Sequence, residues 1–145
     1  MYERGGKMSV FLDCNGSWNK EIPVIDENGN EGFQYETVLI TDVPVACLLQ
    51  EWEGLVNELS HKEVELLKLK EFIAVKSFEI EQETDFKALY GKNNADVRKH
   101  HIKTELADVY DDVTGLELSI NWIKSYIPLL KEVLKYKRQV KIFGE

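Results

Sequence analysis

The chain contains no long apolar run, only two cysteines, and none of the motifs that mark common catalytic sites. A membrane-spanning helix needs about 20 predominantly apolar residues, and no stretch approaches that length. The first twelve residues are charged and contain only a short apolar run, so we expect no signal peptide and a cytoplasmic location. In that compartment Cys14 and Cys47 are expected to be reduced thiols, with a single bridge between them as the alternative.

Chemistry-bearing residues are also sparse. The sequence shows no nucleophile beside a base, no phosphate-binding glycine loop and no pair of catalytic carboxylates, so we expect a non-enzymatic protein without a cofactor. His100 and His101 are adjacent, and neighbouring residues on a helix point about 100° apart. They therefore do not form the i, i+4 pair that chelates a metal, and we expect no metal site.

One segment resembles the beginning of a calcium-binding loop, because Asp26, Asn28 and Asn30 are spaced by two residues. The pattern then fails. Glu31 stands where such a loop needs glycine, and Thr37 stands where a bidentate glutamate closes the site. The sequence therefore predicts a polar hairpin turn here.

The net charge of −8 argues against a generally basic surface that follows nucleic-acid phosphates. The charge is uneven: residues 1–43 carry eight acids against three bases, whereas residues 84–145 carry nine acids against eleven bases. Nucleic-acid contacts would therefore have to come from the C-terminal segment. The acidic remainder leaves open a surface that binds a basic partner.

The N-terminal third alternates between strand and turn signals. Residues 8–14, 18–26 and 33–41 are typical of strands, and Asn15-Gly16 is a strong hairpin turn. A second turn signal covers residues 27–32. Together they predict a small antiparallel meander over residues 1–42.

A first helix is predicted from about residue 42 to residue 80. Thr41 or Asp42 is a suitable cap, and Pro44 suits the first turn because its missing N–H needs no partner there. The apolar stripe assigned to this helix is irregular, and we expect a break or a bend. Its members are Leu49, Trp52, Val56, Leu59, Leu66, Leu67 and Ile73.

A second long helix is predicted over residues 95–138, capped by Asn93 or Asn94 and kinked at Pro128. Ten apolar residues recur along it at alternating gaps of four and three, which keeps one narrow seam facing a partner helix. These seam residues are Ile102, Leu106, Val109, Val113, Leu116, Ile120, Ile123, Ile127, Leu130 and Leu134.

The predicted fold class is α+β: a small N-terminal antiparallel sheet, then a long antiparallel two-helix hairpin of coiled-coil type over residues 43–145. Acidic residues at each end of the first helix match basic residues at the opposite ends of the second, which favours the antiparallel orientation. We expect one compact unit that self-associates as a homodimer. The apolar seam packs either against the first helix of the same chain or against a helix of a second copy.

The connector between the helices carries the candidate interaction residues. Acids, aromatics and bases follow one another there: Glu79, Glu81, Glu83, Phe86, Tyr90, Arg98, Lys99 and Lys103. In one interpretation the basic side chains are exposed to solvent at the start of the second helix and pair with the acids. In the other they contact a nucleic acid or phosphate, and the rings of Phe86 and Tyr90 stack on nucleobases.

The segment from Thr84 to Asn94 (TDFKALYGKNN), followed by Val97-Arg98-Lys99 and a long Leu/Ile-rich helix, resembles small accessory proteins of phages that infect Gram-positive bacteria. Such proteins are often encoded near replication or recombination genes. The resemblance covers the C-terminal 60 residues or so, and it implies a protein of the host cytosol that acts by binding.

Two functional hypotheses follow. The first is a non-enzymatic protein-interaction module, encoded by a phage, that modulates or inhibits a host nucleic-acid-processing or defence complex through an acidic surface. Its partner is then a host or phage protein, and no membrane is involved. The alternative is a nucleic-acid-binding accessory protein of phage replication or recombination that uses the basic helix ends. An enzyme with a site assembled across a dimer ranks third.

Overall fold

A computed structural model describes residues 2–4 and 8–143 of the 145-residue chain. The fold is α+β, with a small antiparallel sheet followed by long helices, as predicted. The strands are β1 (Tyr2–Arg4), β2 (Met8–Leu12), β3 (Trp18–Ile25) and β4 (Glu31–Val38), and they pair in the order β1-β2-β3-β4. Strand β1 was not predicted. The other three strands confirm the predicted ones, although β4 begins and ends earlier in the chain than the predicted strand over residues 33–41.

The two hairpin turns of the sheet are built around aspartates. Asp26 Oδ1 accepts hydrogen bonds from the backbone N–H groups of Asn28 and Asn30, both at 2.8 Å, and Gly29 takes a positive φ. Bonds of this kind favour the charged carboxylate, and the bond from the Asn30 N–H lowers the pKa of Asp26 below its ordinary value. Asp13 caps the first turn in the same way. The polar-turn interpretation of Asp26 is thus confirmed.

The helices are α1 (Val45–Glu83), α2 (Phe86–Tyr90), α3 (Ala95–Glu105) and α4 (Ala107–Phe143). Strand β4 ends earlier than predicted, and a 3₁₀ turn at Ile40–Asp42 holds the two residues expected to cap α1. The Pro44 carbonyl instead accepts from the N–H groups of Cys47 and Leu48. Helix α1 is continuous, so the break is wrong, and the bend that was its alternative stays a prediction.

The second long helix is interrupted once, at Leu106, where a single helix over residues 95–138 was predicted. The Thr104 hydroxyl just before it donates to the His100 carbonyl at 2.8 Å. Such back-bonding often bends a helix. Helix α4 continues through Pro128, as predicted.

All ten residues of the predicted seam are buried or half-buried, so it follows the covered side of α3 and α4. Beyond Ile123 the stripe is shifted by one residue, because Tyr126 and Val133 are buried whereas the predicted Ile127 and Leu134 are half-buried. The stripe assigned to α1 is partly wrong: Leu49, Val56 and Leu67 are exposed. Ten covered residues of α1 instead follow an alternation of four and three, with Cys47, Glu51, Ser77 and Glu79 covered beside them. The ten are Leu48, Trp52, Leu55, Leu59, Lys62, Leu66, Leu69, Ile73, Lys76 and Ile80.

Contacts divide the chain into two compact units. The first, here called the sheet unit, comprises residues 1–56 and 125–145; the second, the connector unit, comprises residues 57–124. In the sheet unit Trp18 is almost fully buried, and its Nε1–H donates to the Tyr126 hydroxyl at 2.8 Å. Burial raises the pKa of Tyr126 above its ordinary value. The Lys137 ammonium donates to the Val43 carbonyl.

Both cysteines belong to the sheet unit and both are free thiols. Cys14 is exposed in the turn between β2 and β3, whereas Cys47 is buried at the start of α1. Among the described helices, none combines the length and apolar character that crossing a bilayer requires.

Candidate functional site

The residues predicted to form an interaction site meet in the connector unit, where α2 folds back onto α3. Asp85 accepts from the Ala88 N–H at 3.1 Å and so caps α2, and Gly91 ends that helix with a positive φ of 83°. Asn94, which is buried, then donates from its side chain to the Gly91 carbonyl at 2.7 Å. These three features fix the geometry between the two helices.

His101 lies at the centre of the resulting cluster. Its Nδ1 is 2.9 Å from the Tyr90 hydroxyl, and its Nε2 is 3.1 Å from Glu105 Oε1. The tautomer that carries hydrogen on Nε2 satisfies both contacts, because Tyr90 then donates and Glu105 accepts. The imidazole also meets the Phe86 ring edge to face, with centroids 5.2 Å apart. His101 therefore joins α2 to α3 and serves as packing in this arrangement.

The bases near this cluster contact groups of the same chain. The Arg98 guanidinium lies 5.0 Å from the centre of the Phe86 ring, and Arg98 Nη1 is 3.8 Å from Glu81 Oε1. The Lys103 ammonium lies 5.6 Å from the centre of the Tyr110 ring. Lys99 is exposed. Two of the three predicted bases thus make internal cation–π contacts, which reduces what they offer to phosphates.

Two of the three predicted acids also contact basic side chains of the same chain, and the third is exposed. Glu81 pairs with Arg98, which is one contact of the kind expected between the acidic end of the first helix and the basic start of the second. Glu79 pairs with Lys76 one turn earlier, at 3.0 Å. Glu83 is exposed at the end of α1. Most of the predicted interaction residues therefore contact other side chains of the same chain, and these contacts stabilise the connector unit. We refer to Phe86, Tyr90, Arg98 and His101, with their partners Glu81 and Glu105, as the connector cluster.

A shallow groove of about 520 Å³ follows residues 92–98, at the start of α3. Lys92 and Arg98 line it together with Asp96, so charges of both signs face the same space. Within the described residues, no group of three or more His, Cys, Asp or Glu side chains is placed to hold a metal ion.

A second surface, not predicted from the sequence, lies on the sheet. Pairing places Ser9, Glu21 and Tyr35 side by side, and alternate residues of a strand share a face. The opposite face carries Trp18 and packs within the sheet unit. The residues of the outward face are called here the open sheet face. They are Ser9, Phe11, Asn19, Glu21, Pro23, Ile25, Glu31, Phe33, Tyr35 and Thr37.

The open sheet face is apolar and acidic. Ile25, Phe33 and Tyr35 are 72, 58 and 60% exposed. The face carries two glutamates, Glu21 and Glu31, and none of the ten described residues named above for it is a base. The aromatic alternation of Phe33 and Tyr35 is visible in the sequence, but the pattern alone does not say which face of a strand is covered.

Comparison with protein-family models, with curated proteins and with solved structures finds no match to this chain. Both surfaces are therefore interpreted from their own geometry.

Proposed function

We propose that this chain is a non-enzymatic protein-interaction module that binds a basic protein partner through its open sheet face. The observation that carries the proposal is the juxtaposition of exposed Phe33, Tyr35 and Ile25 with Glu21 and Glu31 on a face whose ten described residues include no base. Exposed apolar patches rimmed by polar groups are typical of protein-binding surfaces.

Charge supports a basic partner. Residues 8–43 carry seven acids and one base, Lys20. Lys20 lies on the opposite face of the sheet, 3.4 Å from Glu36. Among the described residues of the open sheet face no base therefore stands beside Glu21 and Glu31, and their negative charge steers a positively charged partner towards it.

The aromatic side chains supply the remaining binding energy. Tyrosine and phenylalanine are enriched in the buried centres of interfaces because they cover a large area with few rotatable bonds. Phe33 and Tyr35 stand two residues apart on β4, so one partner segment can cover both.

The phage resemblance extends this proposal. Proteins that process or defend nucleic acids present basic surfaces to phosphates, and carboxylates on a small phage protein would compete for such a surface. We therefore propose a host nucleic-acid-processing or defence protein as the partner, with inhibition as the result. The nucleic-acid-binding alternative is less well supported, because Arg98 and Lys103 are engaged within the chain.

For the helices we propose an antiparallel hairpin of coiled-coil type. Within the connector unit Ile73 and Ile80 of α1 pack against Phe86, Ile102 and Leu106, which supports that pairing. The matching alternations of four and three on α1 and on α3–α4 support it along the helices.

We also propose that the chain forms a homodimer. Several apolar side chains of α1 remain exposed opposite its covered stripe, and burying them against a second copy removes them from water. They include Val64, Leu67, Val75 and Phe78. Light scattering is expected to give twice the chain mass for the wild type and the chain mass for Leu67→Lys with Phe78→Lys. A monomeric wild type would contradict the dimer.

The central test compares a fluorescent oligolysine peptide with labelled duplex DNA. Binding of the peptide, weakening as salt increases, is expected, with no DNA binding at low salt. Phe33→Ser should weaken peptide binding about 5- to 10-fold. The matched control is Leu89→Ser, because Leu89 is a similarly exposed side chain of the connector unit. DNA binding without peptide binding would reverse the ranking of the two hypotheses.

A further inference from the structure

Glu21 is the exception on the open sheet face, because it is buried. Only 8% of its surface is exposed, and its Oε2 atom has no hydrogen-bond partner among the described residues. A buried carboxyl oxygen normally has a partner, since leaving it without one is unfavourable. The exposed Glu31 on the same face has no such requirement.

Among the described residues of β2, β3 and β4, no base pairs with the Glu21 carboxyl group. Lys20 is adjacent in sequence, but its side chain is on the other face, where it meets Glu36. The cross-strand neighbours of Glu21 are Ser9 and Tyr35, and neither is a cation.

Two aromatic rings meet above the strand that carries Glu21. Phe11 is on β2 and Tyr35 is on β4, the strands that flank β3, and strands two positions apart are separated by about 10 Å. Their ring centroids are nevertheless only 5.7 Å apart, in an edge-to-face arrangement. Both rings therefore lean across β3, beside Glu21.

We propose that Glu21, Phe11 and Tyr35 form a receptor for a guanidinium group, and that an arginine side chain of the partner occupies it. A guanidinium donates two parallel hydrogen bonds to a carboxylate and stacks on aromatic rings, whereas an ammonium lacks the planar fork. Tyr35 is 60% exposed, so its ring is the wall that faces the incoming side chain. This inference rests on the proposed function and names the group through which the basic partner is recognised.

The experiment measures the affinities of two labelled peptides of equal length, oligo-arginine and oligolysine, for the wild type and two variants. Glu21→Gln removes the receptor carboxylate. Glu31→Gln removes the same charge from an exposed position of the same face and is the matched control. The wild type is expected to prefer oligo-arginine. Glu21→Gln should lose about 10- to 100-fold in oligo-arginine affinity, and with it the preference.

The control should lose only a few-fold, and equally for both peptides, as expected for an exposed charge. Equal behaviour of Glu21→Gln and Glu31→Gln would overturn the receptor and leave the proposed function standing. If neither peptide binds the wild type, both proposals fail.

A second measurement uses only the wild-type chain and so does not depend on the folding of a variant. Titration with N-acetylarginine amide, followed by amide chemical shifts, is expected to move Phe11, Glu21 and Tyr35 first. Shifts confined to other parts of the chain would overturn the receptor.

Discussion

The connector cluster and the open sheet face contain the same kinds of side chain, aromatic and charged, in opposite situations. In the connector cluster Arg98, His101 and Glu81 each contact another side chain of the cluster. On the open sheet face Phe33 and Tyr35 are exposed, and the buried Oε2 atom of Glu21 has no hydrogen-bond partner in the described chain. The difference shows that charged residues that are dense in a sequence can be engaged largely within the fold, although Arg98 Nε is also a buried atom without a hydrogen-bond partner in the described chain. We therefore base the proposed binding on the combination of the buried Glu21 carboxyl oxygen with the exposed Phe33 and Tyr35 side chains.

The largest contrast is expected between two phenylalanines. Phe86→Ala should lower the free energy of unfolding by about 3–5 kcal/mol, because Phe86 is buried at the centre of the connector cluster. Phe33→Ala should change it by less than about 0.5 kcal/mol, because that side chain is exposed. Chemical denaturation measures both. Similar losses for the two variants would remove the distinction between the regions.

The next effect is a stabilisation. Glu21→Leu should raise the free energy of unfolding by about 1–3 kcal/mol, because it removes a buried acceptor that lacks a partner. Glu31→Leu, at an exposed position, is the control and should have little effect. A clear loss of stability in Glu21→Leu would indicate that the carboxyl group is paired within the chain.

Tyr126 tests the covered side of the sheet. Tyr126→Phe should cost about 1–2 kcal/mol, because the Trp18 N–H loses its acceptor. The raised pKa also predicts a pH dependence: the folded state retains the phenol proton that the unfolded chain releases near its ordinary pKa of 10.0. Stability should therefore fall as the pH rises above that value, and the fall should be smaller in Tyr126→Phe. Identical alkaline profiles would contradict the assigned burial.

The smallest effect is expected at the exposed ion pair of the connector cluster. Glu81→Gln should lower stability by about 0.2–1 kcal/mol, with the loss disappearing at high salt. Glu83→Gln, on the same turn of α1 and also exposed, is the control. A larger, salt-independent loss would mean that the pair is more than a surface contact.

The seam of the second long helix was predictable because every one of its positions is apolar. The α1 stripe was not, because Lys62 and Lys76 occupy two of its positions. Each lysine is half-buried and carries its ammonium to a neighbouring acid, Glu58 at 3.5 Å and Glu79 at 3.0 Å. The aliphatic part of a lysine side chain covers apolar surface while its ammonium stays in water. A stripe assigned from apolar residues alone therefore misses these two positions and selects the wrong residues of the helix as covered.

The open sheet face escaped prediction for a different reason. The strand containing Phe33 and Tyr35 was identified, but the covered face depends on Trp18 reaching Tyr126, 108 residues later in the chain. Local alternation contains no information about so distant a contact. The connector cluster, by contrast, is assembled by residues close in sequence, and most of its members were among the candidate interaction residues identified from the sequence.

The unequal exposure of the two thiols has a practical consequence. Cys14 is accessible in the turn that joins β2 to β3, whereas Cys47 is shielded inside the sheet unit. A maleimide dye should therefore attach at a single position of the natural sequence, at one end of the strands that form the open sheet face. Fluorescence anisotropy or quenching of that dye would then report partner capture without any engineered substitution.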